Sequence, residues 1–193
     1  MKINKKLASV GLSAFILGAC ATVDNPLTLE TRDQFFLQSS SVTWDLTDKE
    51  QEVEEKKDLA DDGERAEGRK QLEEKLVFAV EDNFGDSPSG PNPMAFNIEI
   101  ERYDRVGATV GNVIGGSNLL IADVTVTDVT SGEIVATYND VRGHYTSNFG
   151  VAGALLQAAT KPDIPGLMAV SFAKDLKKNF LGNKVRADRY DKS

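Results

Sequence analysis

The chain has 193 residues, 22 basic and 30 acidic, with one histidine, one cysteine and a net charge of −8. One cysteine excludes an intramolecular disulfide, and one histidine with one cysteine leaves a zinc site short of ligands. The acidic balance disfavours nucleic acid, whose affinity rests on Lys and Arg neutralising phosphates.

Lys2, Lys5 and Lys6 open the chain, and the uncharged run Leu7–Ala19 follows. This run has the length of a secretory h-region, whereas crossing a bilayer takes about 20 helical residues. It ends in Leu17-Gly18-Ala19-Cys20. Those four residues resemble the lipobox of bacterial lipoproteins. The resemblance implies a signal peptide over 1–19, cleavage before Cys20, a diacylglyceryl group on the Cys20 thiol and a palmitate-type chain on the new amino terminus. Ala21 implies sorting to the outer membrane, with the domain in the periplasm. Each buried methylene adds about 0.8 kcal/mol, so more than one chain makes attachment effectively permanent. Removing 1–19 takes three lysines and no acid, leaving a net charge of −11. Lipid must then do the anchoring, while the charge keeps the domain soluble.

Residues 21–34, "ATVDNPLTLETRDQ", are polar without periodicity, so 20–34 is expected to be a lipidated tether reaching at most about 50 Å. "FFLQSSSVTW", 35–44, predicts a first strand. Residues 45–75 carry 13 acidic and 7 basic residues, which predicts a solvated start. An EF-hand counted from Asp58 fails, with Ala60 and Arg69 at positions three and twelve. From about Arg65, Leu72, Leu76, Val77, Val80 and Phe84 form one apolar stripe at helical spacing, closed by Gly85. A core face is the expected use of that stripe.

Strict alternation in "AFNIEIERYD", 95–104, and in 118–129 predicts half-buried strands. "TSGE" turns the chain at Gly132 into a fourth strand over 133–141, closing a β-hairpin. A polar stretch around His144 and a small-residue apolar segment, 149–160, come next. A helix is expected from about Asp163, with Ala169, Phe172, Ala173, Leu176 and Phe180 inside and Gly182 at its end. The tail 184–193 is expected to be flexible. The order strand-helix-strand-strand-strand-helix predicts one α+β domain over 35–183. It should be a two-layer sandwich, a mixed four-stranded sheet with helices on one face.

Chemistry is sparse. In the glycine-rich link "RVGATVGNVIGGSN", Gly111 and Gly116 have phosphate-loop separation, but Ser117 and Asn118 stand where Lys and Ser/Thr belong. Gly107, Gly111 and Gly115 recur every four residues, which suits a tight connection or, less simply, an oligomer contact. A serine triad would need His144, and no nucleophile elbow occurs. "NLLIADVTVTDVTSGEIVATY", with Asp128-x-x-x-Gly132 between two strands, resembles proteobacterial envelope lipoproteins and, more distantly, the small α/β domain of curli-secretion-channel and TolB-amino-terminal types. The resemblance spans 95–181 and implies that fold and a role in envelope assembly or export. The expectation is a non-catalytic lipoprotein without metal or cofactor, joined to the membrane through Cys20 and binding envelope proteins. The alternative is a carrier of a small ligand or cell-wall glycan. The link 107–116, the partner and the oligomeric state stay open.

Overall fold

The computed structural model describes residues 22–45, 62–104, 117–146 and 162–186. In chain order these form β1 (Thr22–Asp24), α1 (Leu29–Arg32), β2 (Phe35–Trp44), α2 (Asp62–Phe84), β3 (Asn92–Asp104), β4 (Ser117–Asp128), β5 (Ile134–Thr146), α3 (Ile164–Leu181) and β6 (Lys184–Arg186). The sheet runs β2-β3-β4-β5, with β2 parallel to β3 and the other neighbours antiparallel. The α+β architecture, mixed sheet and helical layer agree with the order read from the sequence. The segments 46–61, 105–116 and 147–161, including most of the glycine-rich link, lie outside the described residues, as do the signal segment and Cys20.

The core forms where the periodicities meet. Leu72, Leu76, Val80 and Phe84 of α2, with Met168, Phe172, Leu176 and Phe180 of α3, bury against Phe96, Ile98 and Ile100 of β3 and Leu120, Val124 and Val126 of β4. Phe84 meets Phe96 and Phe180 edge-on, at centroid distances of 4.9 Å and 5.6 Å. That geometry sets the positive ring edge against the negative face. The opposite face of the sheet is polar: Ser41, Asn97, Thr125 and Thr137 align across the four strands. The two helices run the same way, since Lys75 bonds Asp163 at the start of α3 and Lys177 bonds the Asn83 carbonyl near its end.

Alternation continues past Val141, where the sequence suggested that the strand stops. Ala122 pairs with Val141 and Val124 with Tyr138, so Asp123 faces two residues, Asn139 and Asp140. Asp140 takes φ 54°, and its N–H donates to Asp123 Oδ1 at 3.0 Å. This bulge reverses the inward parity, from Ala136 and Tyr138 before it to Val141 and Gly143 after it. Strand β5 can therefore continue to Thr146 with a buried face.

Both outer strands have N–H groups taken up by the helices. Ser40 N–H donates to Glu81 Oε1 of α2 at 3.3 Å. Arg142 N–H donates to Asp175 Oδ2 at 3.0 Å and His144 N–H to Ser171 Oγ at 3.3 Å, both on α3. Side chains one helical turn apart thus occupy donors that an edge would otherwise offer to another strand.

At Gly143 the backbone of β5 approaches α3 closely, and an added Cβ would lie 2.6 Å from the Met168 carbonyl oxygen. Gly143→Ala should lower stability by about 1–3 kcal/mol, as overpacked cores do. Urea unfolding of the mature domain checks this through a lower midpoint at unchanged slope.

Candidate functional site

Residues 22–34 correct the expectation of a tether, because they pack against the domain. β1 pairs antiparallel with β6, Thr22 opposite Arg186 and Asp24 opposite Lys184, so the tail also begins as a paired strand. Leu27 is buried in the main core, and α1 follows with Thr28 as N-cap, its hydroxyl accepting from Thr31 N–H.

What holds this segment is a polar latch on the carboxyl end of α3. Asn25 Nδ2 donates to the carbonyls of Asn179 and Gly182, each at 2.7 Å, and of Phe180 at 3.2 Å. Asn25 Oδ1 accepts from Leu27 N–H at 2.9 Å and from the Tyr138 hydroxyl at 3.1 Å. Arg32 is only 2% exposed, and its Nη1 donates to the carbonyls of Phe180 at 2.6 Å and Gly182 at 3.0 Å. Its Nε reaches the Thr28 carbonyl at 3.3 Å. A helix leaves its last carbonyls without internal donors and carries partial negative charge there. A buried guanidinium is tolerated at that position because every oxygen it meets is an acceptor.

The latch fixes where the chain leaves the domain toward Cys20. Register places the starts of β2, β3 and β5 and the end of β4 at one end of the sheet: Phe35 pairs with Asn92, Met94 with Asp128 and Thr127 with Ile134. Tyr138, bonded to Asn25, ties the latch to the same end. β2, β3 and β5 finish, and β4 starts, at the opposite end.

The other residues noted in the sequence are not brought together. His144 is exposed on β5, with Nδ1 3.4 Å from Ser171 Oγ, the oxygen that also accepts the His144 N–H. The serine therefore serves the strand edge. Asp128 and Gly132 shape the hairpin turn: Gly132 has φ 75°, and Asp128 Oδ1 accepts from Thr130 N–H at 2.8 Å. Among the described residues, no group of three or more His, Cys, Asp or Glu side chains is placed to hold a metal, and no helix is long and apolar enough to cross a membrane. Sequence reasoning missed the latch. Its one local trace is "NPLT", a turn-forming Asn-Pro followed by an apolar residue and a threonine N-cap.

No protein-family profile and no curated protein matches the chain. Among solved structures, it is similar to a candidate lipoprotein of Caulobacter crescentus at 18% identity and a TM-score of 0.37, covering 56% of this chain and 79% of that one. Two PelC dodecamer structures from Paraburkholderia phytofirmans align at 10% and 12% identity with TM-scores of 0.38 and 0.36. They cover 82% and 88% of this chain and 94% and 100% of theirs. Likenesses this distant carry no inference about function.

Asn25→Asp keeps the side chain's shape but turns a carboxylate oxygen toward the carbonyls of α3. It should cost about 3 kcal/mol, more than Asn25→Ala, in chemical unfolding. Burial raises the Tyr138 hydroxyl from 10.0 to about 12, outweighing the lowering effect of the Arg32 charge. The folded state thus holds this proton more tightly than the unfolded one. The corresponding stabilisation is intact below pH 10 and lost as pH rises through about 12. A stability–pH curve should show this alkaline loss, and Tyr138→Phe should flatten it.

Proposed function

We propose that this chain is a lipid-anchored cell-envelope protein, held at the periplasmic face of the outer membrane, whose domain works without catalysis by binding other proteins in assembly or export. The observation that carries the reading is the Leu17-Gly18-Ala19-Cys20 sequence behind a charged start and an apolar run, with Thr22 of β1 only two residues after the cysteine.

The protein-binding part is supported by the outer surface of the helical layer. Phe78 of α2 is 71% exposed, and Leu167 and Val170 of α3 are exposed as well. The Lys75–Asp163 and Lys177–Asn83 contacts set these stretches of the two helices side by side. Large apolar side chains left on a helical layer are a feature of surfaces that meet partners.

Labelled palmitate should enter the wild-type protein in its native cell and be absent from Cys20→Ser; label retained in the variant would refute the anchor. In-cell crosslinking should recover an envelope protein with the wild type and lose it with Phe78→Ser, while the melting temperature stays unchanged. Partner recovery undiminished by Phe78→Ser would remove the helical surface from the reading.

A further inference from the structure

We infer that the end of the domain carrying the latch, the β4–β5 turn and the last turn of α3 rests directly on the bilayer that holds the anchor, with its exposed apolar side chains entering a zwitterionic phospholipid interface. The inference depends on acylation of Cys20. Two residue steps separate Cys20 from Thr22, a span of about 7 Å, and from Thr22 onward the chain is committed to β1 and the latch. Without a tether the domain has no freedom to stand off.

The surface at that end has the matching composition. Leu29 on α1 is 56% exposed and Ile134 at the start of β5 is 67% exposed. Val129 in the β4–β5 turn and Leu181 at the end of α3 are exposed too. Leu29 and Leu181 lie on the two elements that Arg32 joins, and Val129 and Ile134 flank the turn at the same end of the sheet. The four come from three separate parts of the chain; Leu181 continues the face of α3 that carries Leu167 and Val170, and Leu29, Val129 and Ile134 lie on other elements.

Charge selects the lipid class. Asp24, Glu30, Asp33, Asp86 and Glu133 are exposed at or near this end, against Lys178 on α3. A net-anionic leaflet would repel that set, whereas the ammonium groups of phosphatidylethanolamine can meet it. The apolar side chains then reach the acyl boundary, where amphipathic surfaces gain from burial.

The test uses full-length acylated protein, whose Cys20 thiol is blocked by its thioether. An environment-sensitive dye is placed at Leu29→Cys, Ile134→Cys, Phe78→Cys or Thr146→Cys, and intact mass of each sample records the acyl chains. On phosphatidylethanolamine–phosphatidylcholine vesicles, the dyes at 29 and 134 should shift to the blue and lose quenching by aqueous iodide. Those at 78 and 146 should stay quenched. If acyl chains are present but 29 and 134 remain as quenched as 146, the apposition is wrong while the anchor stands. Protection at 78 instead would lay the helical layer on the membrane and overturn the proposal. Absence of acyl chains would remove the anchor and this inference with it. Protection of 29 and 134 in the Cys20→Ser protein without vesicles would assign the surface to contacts between copies, and would also overturn it.

Discussion

A helix that ends inside a protein presents carbonyl oxygens that must find donors, and α3 ends against the core beside Phe84, Phe96 and Tyr138. The donors come from more than 140 positions earlier in the chain, Asn25 and Arg32. Much else follows from this one requirement. It pins the amino-terminal segment, positions Leu27 in the core, brings β1 beside β6 and orients Phe180 among three aromatic neighbours. A polar contact with buried carbonyls is more specific than an apolar one, because a misplaced partner leaves both sides unsatisfied.

The same economy governs the sheet. Its helical layer supplies the apolar cover for one face, and its polar residues close the edges: Glu81 at β2, Asp175 and Ser171 at β5. The bulge at Asp140 makes the β5 edge usable, since it turns Val141 and Gly143 toward the helical layer. The result is a domain with two dissimilar ends. Short turns and the latch occupy one end, and β2, β3 and β5 finish at the other.

Most of the fold was legible in the sequence because its signals are local. Alternation over 95–104 and 118–129 and the 3.6-residue stripes ending at Phe84 and Phe180 each depend on neighbours a few residues away, and each appears as read. The helix start near Asp163 and the Gly132 turn were equally local. The extension of β5 was not, because a bulge breaks the period that alternation relies on. Nor was the latch. "ATVDNPLTLETRDQ" has no apolar periodicity, so composition alone describes it as solvated.

The sequence by itself thus determined the four sheet strands and two long helices, their order and the α+β class, together with the charged start, apolar run and cysteine motif on which the envelope reading stands. Tertiary structure alone decided that residues 22–34 pack on the domain, that His144 shares its serine with a strand edge, and which exposed apolar residues lie at which end. The physical reason is the range of the interactions. Propensity and periodicity act over one or two turns of chain, whereas a buried Asn or Arg is explained only by the carbonyls it meets, and those belong to the far end of the sequence.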